Sequence, residues 1–163
     1  MTAFWPLFAQ QALHYRTFTL IVIGLVLGAL ALLTSKRARH DLRVAQVLLR
    51  WFLLCAVGVG FLGVSLQHLL PHAAPDPADF QIGQAAAGFA AVGVASAWGG
   101  IGMRLAALLG PTVWIVGALL GTAAGAVSVF RPGDLLLPLV GFALLVWQFR
   151  AQRHRSVFAR SRL

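Results

Sequence analysis

The chain has 163 residues, of which 60% are hydrophobic and 10% are charged, and its formal net charge is +9. An ordinary soluble domain has about 25% charged residues, so this composition excludes a soluble enzyme and a disordered chain, and the long apolar stretches exclude the usual kind of nucleic-acid binder. The single cysteine excludes a disulfide framework and a cysteine-built zinc site. We therefore expect an integral membrane protein.

Five apolar stretches are long enough to cross the roughly 30 Å hydrocarbon core of a bilayer as helices. Their composition is rich in Leu, Ala and Gly and lacks the alternation of membrane barrels. The sequence therefore predicts an all-α membrane protein, a single domain of five transmembrane helices, with four helices as the alternative. The predicted spans are residues 17–34, 48–70, 82–103, 105–130 and 134–149.

The basic residues segregate to one side of this five-span arrangement. Of the 13 Lys and Arg residues, all except Arg16 and Arg131 fall on the side that holds the loop after the first span, and Arg104 forms the connection between spans three and four. Because basic loops stay in the cytoplasm, we expect the N-terminus outside and the C-terminus inside, in a bacterial inner membrane. The cytoplasmic basic residues include Lys36, Arg37, Arg39, Arg43, Arg150, Arg153 and Arg155.

Small residues recur at four-residue spacing along several predicted helices, and this spacing lets helix backbones approach closely. Gly24 and Gly28 have it in the first helix. We expect the stripe on the third helix to face the stripe on the fourth, with homodimerisation as the competing use. The third-helix stripe is Gly83, Ala87, Ala91, Ala95 and Gly99, and the fourth-helix stripe is Gly117, Gly121 and Gly125.

A GxGxxG pattern occupies residues 58–63 in the second predicted span. This pattern indicates dinucleotide binding only where it follows a strand and opens a helix. Here it lies within the membrane, so we reject the nucleotide interpretation. The pattern instead predicts room for a neighbouring helix or a small ligand.

No Asp, Glu or Lys lies in the middle of a predicted span. Ionisable groups inside a membrane usually mark ion and proton pathways, so the sequence disfavours a cation-coupled transporter and a charged channel. The remaining polar residues gather toward the predicted outer side. The candidate ligand or metal site there is His14, His68, His72, Asp76 and Asp79.

Three interpretations of this outer cluster stay open. Imidazole and carboxylate groups suit zinc, copper or iron, His14 and His68 suit axial ligation of a haem, and the histidines also suit hydrogen-bonded positions at the membrane interface. We expect no cofactor, with haem or a divalent metal as the alternatives. Asp79 and Asp134 are predicted to cap the third and fifth helices, with Pro138 in the first turn of the fifth.

Three short motifs open or close these helices: QHLLP at residues 67–71, DFQ at 79–81 and DLLLP at 134–138. On these motifs, residues 50–149 resemble a family of small bacterial and archaeal integral membrane proteins known only as a domain of unknown function. The family has a Gly-His pair, an acidic residue after the Phe-Gln and a histidine in the fourth helix, where this chain has Gln67, Gly83 and Thr122. The resemblance implies a membrane bundle and no particular activity.

These observations together favour a non-enzymatic inner-membrane protein, an accessory or scaffold subunit that packs against a larger membrane complex. One alternative is a small-molecule permease or carrier with an outer vestibule near His68. The other is a membrane redox subunit that binds haem or quinone. The expected partners are the lipid bilayer and other membrane protein subunits, and no nucleic acid.

Overall fold

The computed structural model describes residues 16–35, 41–70, 77–123 and 131–160. Within these ranges the chain forms five helices and no strand. The helices are α1 (Arg16–Leu33), α2 (Asp41–Leu69), α3 (Pro77–Ser96), α4 (Ile101–Ala123) and α5 (Leu136–Arg160). A short 3-10 helix, Pro132–Leu135, leads into α5. The predicted all-helical class is confirmed.

Four of the described helices, α1, α2, α4 and α5, are long and apolar enough to cross a membrane. The fifth, α3, has 20 residues but carries Asp79, Gln81 and Gln84 in its first half, which lower its mean hydropathy. The five predicted spans each correspond to one helix. Their bounds differ most at the last helix, because α5 continues to Arg160 and includes the predicted basic tail residues Arg150, Arg153 and Arg155.

The centre of the bundle is a π-helical segment, Leu53–Val59, inside α2. It separates two regular α-helical parts, Asp41–Phe52 and Gly60–Leu69. The segment contacts all four other described helices, and Leu53 and Val57 are completely buried. Because it contacts every other described helix, this segment is the structural hub of the bundle. π-Helical turns are rare and often lie at functional sites.

Glycines bring α1 and α2 close together, as their spacing predicts. A Cβ atom added to Gly24 would lie 3.0 Å from the Trp51 carbonyl oxygen, and one added to Gly28 would lie 3.0 Å from Leu48 Cδ2. Side chains at these two positions would therefore force the helices apart. The same explanation holds for Gly58 of the GxGxxG pattern, where an added Cβ would lie 2.9 Å from Val94 Cγ2 on α3.

The predicted contact between the small-residue stripes of α3 and α4 is wrong. Ala91 and Ala95 are exposed, and Gly117 faces open space, while Gly125 lies outside the described residues. Instead, α3 packs mainly on α2. The buried positions of α3 are Gly83, Ala86, Ala90, Gly93 and Ser96.

Helix geometry explains this error. Four residues turn an α-helix by about 40° more than one full turn, because there are 3.6 residues per turn. The stripe that begins at Gly83 therefore leaves the buried face by Ala91. The buried set mixes spacings of three and four and so stays on one face. In addition, α3 ends at Ser96, so Gly99 lies in the following turn and not on the helix.

The first residues of α1, α3 and α5 lie at one end of the bundle, together with the last residues of α2. Hydrogen bonds between Arg16 and Gln67, Thr17 and Asp134, and His68 and Asp79 join these termini. We call this end the Asp79 end and the opposite one the Arg104 end. The predicted outer cluster corresponds to the Asp79 end.

Candidate functional site

Three side-chain pairs connect the helices at the Asp79 end. The Arg16 guanidinium donates to Gln67 Oε1 at 3.0 Å and ties α1 to α2. The Thr17 hydroxyl donates to an Asp134 carboxylate oxygen and ties α1 to the turn before α5. The His68 ring nitrogen Nδ1 lies 3.0 Å from Asp79 Oδ1 and ties α2 to α3. Polar groups therefore hold four helices together where the apolar spans end.

His68 and Asp79 are the two predicted site residues that the structure brings together. The His68 side chain is 17% exposed and that of Asp79 is 54% exposed. The predicted helix cap at Asp79 is wrong, because α3 begins at Pro77 and places Asp79 inside its first turn. Proline suits the first helical position and a carboxylate in the first turn is favoured by the helix dipole, so the helix begins three residues before Phe80, the first helical residue that the predicted cap implies.

The other predicted members of this cluster, His14, His72 and Asp76, lie outside the described residues. Among the residues that are described, no three His, Cys, Asp or Glu side chains come together in a way that would hold a metal ion. His68 and Asp79 supply two donors, whereas protein metal sites use three or four.

Asp134 organises the start of the last helix, although not as the predicted cap of α5, because it lies inside the 3-10 helix that precedes α5. Its Oδ2 atom accepts the backbone N–H of Arg131 at 2.8 Å, and its Oδ1 atom accepts the Thr17 hydroxyl. Pro138 follows as the third residue of α5, in the first turn, where a missing N–H costs little. One carboxylate therefore both caps the Pro132–Leu135 turn and fastens it to α1.

A small cavity lies directly beneath these contacts, between α1, α2, α4 and α5. Its volume is about 20 Å³, enough for about one water molecule. Arg16, Thr17 and Asp134 form its polar side, and the apolar side includes Ala56 of the π-helical segment and Ile115 of α4. The cavity therefore lies between the π-helical segment and the polar contacts of the Asp79 end.

We expect Asp134→Ala to lower the free energy of unfolding by about 2 kcal/mol, because it removes two hydrogen bonds to a charged acceptor. The matched variant Asp79→Ala removes one half-exposed pair and should cost less than about 1 kcal/mol. Thermal unfolding of the purified protein in detergent measures both. Equal losses for the two variants would contradict the fastening role of Asp134.

A second group of polar contacts lies at the Arg104 end. Arg104 is 8% exposed, and its guanidinium donates to Gln148 Oε1 on α5 at 2.8 Å and to the Ala97 carbonyl oxygen at 3.4 Å. The predicted position of Arg104 in an interhelical connection is wrong. Residues 97–100 form the turn, and α4 begins at Ile101, so Arg104 lies in its first turn.

Gln148 was the sequence signal for this contact. It is a polar residue within the last predicted span, and polar side chains in such spans usually face the bundle interior. Gln148 is 2% exposed. Beside it, the Arg50 guanidinium lies 4.6 Å from the centre of the Trp98 ring, so α2 and the α3–α4 turn also meet at this end.

An apolar groove of about 400 Å³ opens between α3 and α4. Phe61, Phe89 and Trp114 form an aromatic cluster next to it, with ring centres 5.3–5.8 Å apart. Gly117 lies in the groove with no atom within 4 Å of an added Cβ. The residues that line the groove are Ala85, Phe89, Gly110, Val113, Trp114, Gly117 and Ala118.

The fold and its two polar ends define an all-helical protein whose described residues include four helices long and apolar enough to cross a membrane. The chain belongs to the family of unknown function DUF6790, which matches residues 15–154. This confirms the resemblance to a domain-of-unknown-function family that the sequence motifs indicated. Comparison with curated proteins and with solved structures gives no match.

Proposed function

We propose that this protein is a non-enzymatic, multi-pass protein of the bacterial inner membrane that acts as an accessory or scaffold subunit of a larger membrane complex. The groove between α3 and α4 is the observation that supports this role. It is an apolar surface that the described part of the chain leaves uncovered, and Gly117 is one of its lining residues.

Helices associate in lipid mainly through close packing, and small residues permit it. The α4 face around the groove combines exposed bulky side chains with the small residue Gly117. Val113 is 70% exposed and Leu120 is 66% exposed. Gly121 continues the GxxxG spacing one turn after Gly117. A helix of another subunit could pack into the recess at Gly117 and against the side chains of Val113 and Leu120.

The cavity at the Asp79 end favours a subunit role over a carrier role. Binding sites for small molecules usually measure about 300–1,000 Å³, whereas the cavity beneath Arg16 and Asp134 is about 20 Å³. His68, the centre of the predicted vestibule, contacts Asp79. The described part of the predicted vestibule is therefore too small to hold a transported solute.

We expect Gly117→Leu to weaken association with the partner subunit about tenfold, equivalent to about 1.4 kcal/mol, because the new side chain fills the groove. Gly88→Leu is the matched control, since Gly88 is exposed on α3 with open space around it and does not line the groove. Gentle detergent extraction followed by native mass spectrometry measures the share of the chain in larger assemblies.

A wild-type protein that is extracted only as a lone monomer would contradict the subunit role. Equal losses for Gly117→Leu and Gly88→Leu would remove the groove as the contact surface. A complex that contains only copies of this chain would replace the accessory role with homo-oligomerisation, the competing use of the small-residue stripes.

A further inference from the structure

Arg104 has a buried charge without a matching anion among the described residues. Its two hydrogen-bond acceptors, the Gln148 amide and the Ala97 carbonyl, are both neutral. Its Nε atom is buried and has no hydrogen-bond partner in the part of the chain that the structure describes. A guanidinium stays protonated in proteins, and a buried charge without a counter-charge is strongly unfavourable. Arg104 therefore lacks both a counter-charge and one acceptor.

The surrounding charges add to this deficit. Arg50 lies over the ring of Trp98, which is adjacent in the chain to Ala97, whose carbonyl oxygen accepts from Arg104, so the two positive charges lie in the same region. The chain has four acidic residues, and two of them, Asp79 and Asp134, take part in the contacts at the opposite end. Asp41 is exposed at the start of α2, about 14 Å along the helix from Arg50. The described residues thus place two cations together and no carboxylate beside them.

We propose that Arg104 and Arg50 bind a phosphate-bearing anion at the Arg104 end. The planar fork of a guanidinium matches the oxygens of a phosphate group and is more weakly hydrated than an ammonium group. The hydrogen bonds to Gln148 and Ala97 hold Arg104 in place, and its Nε atom is buried. Arg104 therefore contributes its uncompensated positive charge, and Arg50 supplies the N–H groups that reach the anion.

Trp98 places this site at the depth of the lipid headgroups. Its side chain is 63% exposed and follows the end of α3, and tryptophan is enriched at the membrane–water interface. The Arg50 guanidinium carbon lies 4.6 Å from the centre of the Trp98 ring, and a guanidinium that stacks on an aromatic face keeps its N–H donors in its own plane for an anion. Basic pockets between transmembrane helices bind anionic lipid headgroups in this way. The phosphate of an anionic phospholipid and a free phosphate ion share the required chemistry.

The experiment measures lipid retained by the purified full-length chain. The protein is reconstituted in bilayers of phosphatidylcholine alone or with phosphatidylglycerol, and bound lipid is counted by native mass spectrometry. We expect preferential retention of phosphatidylglycerol, and we expect Arg104→Gln and Arg50→Gln each to weaken it about tenfold, because each removes one of the two positive charges that attract the phosphate. Arg150→Gln removes the same charge from an exposed position of α5 and should change it less than about twofold.

A second arm separates the two sources of phosphate. Inorganic phosphate is titrated into the protein in phosphatidylcholine, and the melting temperature is followed. A rise in melting temperature that requires Arg104, without lipid preference, supports the site and assigns a soluble anion to it. If Arg104→Gln fails to fold, Arg50→Gln carries the test, because it keeps both hydrogen bonds of Arg104. Equal losses for all three variants, or no response to either ligand, would overturn the proposal.

Discussion

Replacing Gly93 with alanine destabilises the bundle, whereas the same change at Gly88 on the same helix does not. A Cβ atom at Gly93 would lie 2.8 Å from the backbone nitrogen of Gly58 and 2.8 Å from Val57 Cγ1. The obstacle is the backbone of the π-helical segment, which cannot move without shifting the hub of the bundle. We expect Gly93→Ala to lower the free energy of unfolding by about 2 kcal/mol, in the range of overpacked cores.

Gly88 is the control because an added Cβ there meets nothing within 4 Å. Alanine is the better helix former by about 0.5–1 kcal/mol, so Gly88→Ala should leave stability unchanged or raise it. Gly58→Ala should fall between the two, since the added Cβ meets the end of the Val94 side chain, 2.9 Å away. Unfolding of the purified variants in detergent measures all three. A Gly93→Ala protein as stable as wild type would show that α2 and α3 are not in backbone contact.

Replacing Gln148 alone lowers the free energy of unfolding more than replacing Gln148 and Arg104 together. In Gln148→Leu the buried guanidinium loses its 2.8 Å acceptor, and an unsatisfied charged group inside a bundle costs about 3 kcal/mol. In the double variant Arg104→Leu and Gln148→Leu, both polar partners are replaced by apolar side chains, which packs without an orphaned charge. We expect the double variant to regain all but about 1 kcal/mol of the stability lost by Gln148→Leu.

The double-mutant cycle isolates the coupling between these two side chains. Gln152→Leu is the matched control, because Gln152 lies one turn further along α5 and is half-buried, with no side-chain hydrogen bond in the structure. It should change stability by less than about 0.5 kcal/mol. Additive losses in the cycle would mean that Arg104 and Gln148 do not depend on each other.

Features that follow from local composition were predictable from the sequence. Runs of apolar residues about as long as a bilayer is thick predict helices, and α1, α2, α4 and α5 are such helices. The sequence also placed Asp134 at the start of the last helix, where its carboxylate accepts the N–H of Arg131, a neighbour in the chain. The close packing at Gly24 and Gly28 in α1 was predictable because two positions four residues apart remain on nearly the same face of a helix.

Longer patterns misled the prediction because a four-residue spacing drifts around the helix. The α3 stripe from Gly83 to Gly99 was assigned to one face, although Ala91 and Ala95 had already turned away from it. The sequence also placed Arg104 in the connection between spans three and four, whereas it is buried in the first turn of α4. Its burial depends on Gln148, which is 44 residues away in the chain.

Hydropathy is a property of neighbouring residues, so the amino-acid order alone established the helical class, the approximate positions of the helices and the family resemblance. Which faces meet depends on atoms that are distant in the chain and come within van der Waals reach only after folding. The Gly58–Gly93 approach, the Arg104–Gln148 contact and the open groove beside Trp114 all arise in this way. Tertiary packing therefore decided which small residues are buried, which charge is enclosed and which apolar surface the described residues leave uncovered.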